Sequence, residues 1–442
     1  MAKKNKNNTF YIIGIIILVI VLIAVAAYFV LHKKNNKATS SSGNPMIPLP
    51  TFSPPSNPLI LSINVLKSFT SYKLSIDVSK LNPNIISVDW GDGSGVTTNF
   101  SHQYSTPGTY QIKIYGNLNS LDFTDFQVGE TQLRYYSDFY TIGIKDFGSS
   151  YNTLRSINFN VYTDVNNIPL SLPPNVTKLS FGTVININCD IRKLDVSNIT
   201  DMSNMFNDCA SFNQDISGWD VSKVTNMSNI FNGCTTFNQP IGKWNMVSVT
   251  DMSYMFAYCT SFNQPLESWD GLSNVTNMKA MFNGCTNFNQ YISNWDVSKV
   301  TDMSSMFDSC TNFNQDLSGW DVRNVTDMSN MFSSCEKFNQ PLNWVVSNVN
   351  NMAGMFASCV SFNQPLDNWD VSKVTDMGGM FLGCTNFNQD ISNWNISNVT
   401  NMNSIFYGCT SFNQSLCKWI SKIKDKDVLQ QDDYLANQLK IC

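Results

Sequence analysis

The sequence predicts three kinds of structure in succession: an N-terminal transmembrane helix, a small β-sandwich, and an α/β solenoid of about nine 25-residue units. Three observations carry this reading. An uncharged apolar run of 22 residues lies near the N-terminus, and short alternating runs with turn residues follow it. From Leu194 to Lys418 one pattern then returns nine times in units of 24 to 26 residues. At 442 residues the chain is too long for one ordinary core, so several domains or a repeat array is expected.

The apolar run is Phe10 to Leu31. As a helix it would span roughly 33 Å, enough for the hydrocarbon core of a bilayer. A cleaved signal peptide has a shorter apolar stretch and a small-residue cleavage site. This run ends in Tyr-Phe-Val-Leu and reads as an uncleaved membrane anchor (residues 10–31) behind a short cytoplasmic tail (residues 1–9). Lys3, Lys4 and Lys6 precede it and Lys33, Lys34 and Lys37 follow. The positive-inside rule tips slightly toward a cytoplasmic N-terminus, with the repeats of a single-pass membrane protein on the outer or extracellular side. Residues 32–58 hold six of the fifteen prolines together with Ser and Asn, the composition of an extended stalk.

Residues 59–128 read as strand, tight turn and strand. Ile85-Ile86-Ser87-Val88-Asp89-Trp90 runs into Gly91-Asp92-Gly93-Ser94, and Tyr110, Ile112 and Ile114 alternate with polar residues. The words VDWGDGS, HQY and PGTYQIKI resemble the polycystic-kidney-disease (PKD) domain, an immunoglobulin-like β-sandwich of extracellular proteins. The resemblance implies that Trp90 is core and that Asp92 fixes the turn. The competing expectation is a cation site at Asp89 and Asp92.

Each repeat offers a helix signal. Thr225 stands where an N-cap belongs, and Asn226 follows it as Asp201, Asp251 and Asp302 follow theirs. Val224, Met227, Ile230, Phe231 and Cys234 keep 3-and-4 spacing, and Gly233 falls where a helix would end. So short a helix must pack on its neighbours. The other half of the unit, Ile216-x-x-Trp219-x-Val221, has the L-x-x-L-x-L spacing of a leucine-rich repeat, so a leucine-rich-repeat-like strand is expected there. Residues 129–193 keep that spacing without the rest of the motif (Leu154-x-x-Ile157-x-Phe159, for example) and read as degenerate lead-in coils. Residues 194–418 are the nine regular repeats, and residues 419–442 a C-terminal cap.

The unit W-D-V-S-x-V-T-D-M-S-x-M-F-x-x-C-x-x-F-N-Q closely resembles the repeat of BspA-like leucine-rich-repeat surface proteins, in the form common in Mycoplasma-type surface proteins. The resemblance covers about half the chain, and a PKD-like module before the array also fits that family. It implies surface exposure and a role in adhesion or recognition. It supplies no catalytic residue.

Composition excludes several chemistries. Charged residues make up 14% of the chain and the net charge is −5, so no basic stripe for nucleic acid is present. With only His32 and His102, imidazole catalysis and His-rich metal sites have no material to work with. No G-x-S-x-G or HExxH occurs, and neither an enzyme nor a cofactor is expected. Cys209, Cys234, Cys259, Cys285, Cys310, Cys335, Cys359, Cys384 and Cys409 form one ladder without the paired short spacing of a metal site. They read as small buried thiols of the wall. Cys417 and Cys442 stand outside the ladder, placed to clip the C-terminal segment. Met202 and its equivalents, with the columns begun by Phe206 and Phe212, read as core. Asn213 and its equivalents read as an asparagine ladder bonding the backbone of the next coil, with the adjacent Gln sharing the task.

The residue between Trp and Val is the one expected to face outward on the strand side. Asp195, Asp220, Asn245, Asp296, Asp321, Asp370 and Asn395, with Val345 interrupting, form a candidate partner-binding stripe. Stacked carboxylates repel and so favour cations or basic partners, and Lys223, Lys299 and Lys373 are placed to neutralise them locally. The expected function is non-catalytic binding of a protein or glycan by a membrane-anchored surface protein. The alternative is a membrane-tethered intracellular scaffold, and a module accompanying a secreted hydrolase is a distant third.

Overall fold

The computed structural model describes residues 57–66, 72–77, 87–127, 140–160, 163–424, 427–428, 432 and 435–437. All belong to one compact unit, Pro54–Cys442. Its strands are β1 (Leu59–Val65), β2 (Tyr72–Asp77), β3 (Ser87–Asp89), β4 (Val96–Thr97), β5 (Ser101–His102) and β6 (Gly108–Tyr115). They continue with β7 (Ser120–Gln127), β8 (Tyr140–Asp146), β9 (Ser156–Asn160), β10 (Asp164–Asn167) and β11 (Lys178–Ser180). Period-2 alternation sets their faces: Leu59, Leu61, Ile63 and Val65 of β1 are buried, and the residues between them are half-buried. One sheet has the order β10-β8-β1-β6-β3-β4 and the other β11-β9-β7-β2-β5.

The turn after β3 is built as its residues require. Trp90 is buried, and its carbonyl accepts from the Tyr104 hydroxyl at 2.9 Å. Asp89 and Asp92 accept the backbone N–H groups of Gly91 and Ser94, and Asp92 Oδ2 meets His102 Nε2 at 2.8 Å. Gly91 has φ 78°, and a Cβ there would stand 2.4 Å from the Gln111 carbonyl oxygen, so glycine is required.

A self-contained immunoglobulin-like sandwich over 59–128 is not what forms. The sheets run on through β8 to β11, and β10 on β8, β9 on β7 and β11 on β9 are parallel pairs. An immunoglobulin-like sandwich is built of antiparallel strands. Four strands of these sheets, β8 to β11, thus lie within residues 129–193. One parallel register then runs from Ser120 through Ser156 and Lys178 to Asp201, and onward as a single bridge per unit to Asn401.

The leucine-rich-repeat-like α/β solenoid is also overturned. The repeats contain neither the expected helices nor regular strands; they are chains of tight turns joined by isolated bridges. The segment read as strand, Ile216 to Val221, is turn and loop. The segment read as helix carries the bridges instead. The 3-and-4 spacing is real but has another cause. Ile230 N–H bonds Met227 O, Cys234 N–H bonds Phe231 O and Phe237 N–H bonds Cys234 O, so successive i→i+3 turns each bring one apolar residue inward. Two left-handed residues per unit, such as Asn229 (φ 56°) and Gly233 (φ 77°), break any helix and reset the chain between turns. Gly233 is thus a mid-turn residue, not a helix terminus.

Between units the N–H groups of Met227, Asn229, Phe231 and Gly233 donate to the carbonyls of Asp251, Ser253, Met255 and Ala257. The same four bonds recur at each of the eight junctions, always from the earlier unit to the later one. Units of unequal length fit because the difference lies elsewhere. The 26-residue unit at Trp269 absorbs its extra residue in a 3₁₀ turn, Leu272–Asn274. The 24-residue unit at Trp320 has one residue, not two, between Leu342 and Trp344.

Among the described residues no helix is long and apolar enough to cross a membrane. This stands against the single-pass membrane assignment and the outward orientation drawn from it. In the repeats apolar residues recur singly every three or four positions and are spent on the core. Phe10–Leu31 and the stalk to residue 56 lie outside the described residues.

Candidate recognition surface

The residues that suggest chemistry are consumed by the wall. All nine ladder cysteines are buried and free, and each thiol donates to the carbonyl of the column phenylalanine about one unit earlier; Cys234 reaches Phe206 O at 3.0 Å and Cys384 reaches Phe356 O at 2.8 Å. Burial pushes the thiols up, Cys409 to about 12, and Cys310 too is raised well above its ordinary value. A thiol-specific reagent is therefore expected to leave these nine untouched in the native chain and to label them only in denaturant, with half-buried Cys189 the first to react. Rapid native labelling of several thiols would refute the burial. Cys417 is disulfide-bonded, and Cys442 lies outside the described residues.

Indole groups do parallel work. Trp219 Nε1 donates to Ile191 O at 3.1 Å and Trp320 Nε1 to Ile292 O at 3.1 Å, and every Trp from Trp219 to Trp419 repeats the bond. Phenylalanine forms two stacked columns, one running from Phe123 of β7 through Phe159, Phe181 and Phe206 to Phe406. The asparagine ladder forms: Asn213 Oδ1 accepts Asn238 N–H at 3.0 Å, and Gln239 Nε2 donates to the same oxygen at 2.9 Å. Thr225, expected as an N-cap, instead donates its hydroxyl and its N–H to Thr200 O. Sequence reasoning missed the thiol and indole donors, although their strict recurrence beside orphan turn carbonyls was the available signal.

The proposed stripe is exposed at Asp195, Asp220, Asn245, Asp296, Asp370 and Asn395 and half-buried at Asp321. Each has a local task, its side-chain oxygen accepting the N–H two residues on, as in Asp220 to Ser222 at 3.0 Å and Asn245 to Val247 at 3.1 Å. Lys223, Lys299 and Lys373 bond Asn198, Asn274 and Asn348 of the preceding unit. The hydrogen bonds from Ser197, Ser222 and Ser372 hold Asp195, Asp220 and Asp370 below the usual carboxylate range. A depressed folded pKa adds stability above the unfolded value of about 3.9 and loses it as pH falls through the folded one. Stability is thus expected to hold from neutral pH to about pH 5 and to fall below about pH 4. Each exposed group contributes little. Asp220→Asn should leave neutral stability unchanged, since Asn245 and Asn395 close the same turn, and should blunt the acid loss. An unchanged acid profile in a variant carrying all such substitutions would sink this assignment.

A second exposed surface was not anticipated. It carries the left-handed positions of the array, exposed at Asn204, Asp208, Tyr258, Asn330 and Gly408, buried at Ala280, Gly284 and Gly354 and half-buried elsewhere, with side chains mostly of Ser, Asn and Gly. Near its start a polar cleft of about 370 Å³ is lined by residues including Lys178, Ser180, Thr183, Asn204 and Asn207. Thr183 sits at φ 68°, uncommon for a β-branched residue. Lys178 Nζ bonds Asp201 and Ser203, both at 2.8 Å. Among the described residues no cluster of His, Cys, Asp and Glu is arranged to hold a metal ion.

No curated protein matches the chain. Residues 176–272, 271–344 and 342–439 match, in three successive stretches, the family described as Mycoplasma protein of unknown function, DUF285. Together these stretches cover more than half of the chain and contain the whole hydrogen-bonded repeat array. The chain is a member of this DUF285 repeat family.

Proposed function

We propose that this protein recognises a partner without catalysis, through the exposed rows of its repeat array. One observation carries the reading: nine units reproduce the same outward columns in hydrogen-bonded register, while thiols, indoles, methionines and phenylalanines are turned inward. A surface of mostly short polar side chains in repeating columns offers many similar contacts and no nucleophile–base pair, which suits multivalent binding and not turnover. The Asp195-to-Asn395 column adds a second exposed row, acidic in character.

The test is the full chain on an array of purified glycans and glycoproteins, against a variant lacking Trp295–Asn343, two whole units. The variant should fold, since the remaining units meet through the same bonds, and should bind its array ligands several-fold more weakly. Binding unaffected by the deletion, or chemical turnover of a bound ligand, would overturn the proposal.

A further inference from the structure

The third unit, Trp244–Ser268, has tyrosine at both of its left-handed positions. Tyr254 has φ 56° and Tyr258 φ 60°, where the other units place Asn, Asp, Ser, Ala or Gly. Left-handed backbone is strained for a bulky side chain and free for glycine, so the fold itself gives no reason for this choice. Tyr258 is 57% exposed. Its ring lies over Gly284 of the next unit, where a Cβ would come within 2.8 Å of it. Gly284 thus leaves the ring room to lie along the surface.

The neighbours are polar and small. Asn229 and Asn232 stand in the preceding unit, joined by a side-chain contact of 3.4 Å, and Asn283 in the following one. Lys279, half-buried, lies beside Tyr254, whose N–H its carbonyl accepts at 2.8 Å. Two units back, the same columns open on the polar cleft that includes Asn204 and Asn207. At a repeat of roughly 4.8 Å per unit, cleft and tyrosines are about 10 Å apart along one face.

We infer that exposed Tyr258, flanked by half-buried Tyr254, forms the stacking platform for a neutral polysaccharide chain that lies along this face toward the cleft. The inference rests on the recognition reading above and names its ligand class. A sugar ring presents a C–H face that packs on an aromatic ring and a rim of hydroxyls that both donate and accept, as amide side chains do. A protein partner needs an apolar centre within about 800 Å² per side, and the columns around the tyrosine pair supply nothing large and apolar beyond the two rings.

The double variant Tyr254→Asn with Tyr258→Gly tests it, because Asn229 and Gly233 already occupy these columns in the preceding unit. Its melting temperature should equal or exceed that of the natural chain. The full chain is titrated calorimetrically with cellohexaose and with chitohexaose, and sedimented with microcrystalline cellulose and chitin. The expected result is binding to one of these sugars that the double variant weakens at least tenfold. Binding to neither, or equal binding by the folded variant, overturns the inference. If the unit-deletion variant still loses its array ligands while no sugar binds, the carbohydrate assignment alone falls. Loss of a protein ligand with the tyrosine pair would likewise overturn it in favour of a protein partner.

Discussion

Phe307→Ala should cost about 3–5 kcal/mol, the range for removing a fully buried phenylalanine. The ring is wholly buried and touches four others, with centroids 5.7 Å from Phe282, 5.7 Å from Phe332, 4.2 Å from Phe313 and 6.3 Å from Trp320. These neighbours are held by backbone bonds on both sides and have little freedom to collapse into the space. Each unit meets only its neighbours, so the loss falls on two junctions and the array opens in its middle. Amide hydrogen exchange reads this directly. Protection should drop around Ser304–Phe332, while β1 and β6 keep theirs. A loss under about 1 kcal/mol would mean that the column is loosely packed and the argument wrong.

Asp432→Ala should destabilise the last unit by about 1–3 kcal/mol, the cost of leaving buried donors without an acceptor. The four bonds that recur at each junction all run from the earlier unit to the later, so their peptide dipoles add and the array ends on the donor side of its last unit. Asp432, 3% exposed, supplies the negative end: Oδ2 accepts Phe406 N–H at 3.4 Å and Oδ1 accepts Leu435 N–H at 2.8 Å. Faster exchange should appear at Met402–Gly408 and fade within a unit or two toward the N-terminus. Uniform destabilisation, or none, would remove the carboxylate from this role.

Repeat register, buried thiols, the two core phenylalanine columns and the asparagine ladder were legible in the sequence because each depends on residue type and period alone. The helices were misread because a run such as Val224, Met227, Ile230 and Cys234 is the signature of a helical face and equally of consecutive three-residue turns. What separates the two is left-handed backbone at positions such as Asn229, Asn330 and Ser305, and those residues occur freely in helices. Parallel pairing of β9 on β7 was hidden for another reason: it joins segments that the sequence assigned to different domains. Of the proposed recognition surface, the acidic column was visible as an outward row. Tyr254 and Tyr258 were visible only as departures within the word Asp-Met-Ser-Tyr-Met-Phe-Ala-Tyr-Cys, which acquires meaning once the left-handed columns are known.

The tolerance of the junctions for 24-, 25- and 26-residue units has a consequence at the level of the gene. Every junction asks the same thing of its two sides: four donors, four acceptors, one thiol and a ring. Units are therefore interchangeable parts. Unequal crossing-over that adds or drops a whole unit leaves no new interface to solve, and slippage of a residue is absorbed in the corner near Trp. Reach can then vary between lineages by about 4.8 Å per copy, like the graduations of a ruler, with neither end of the molecule altered.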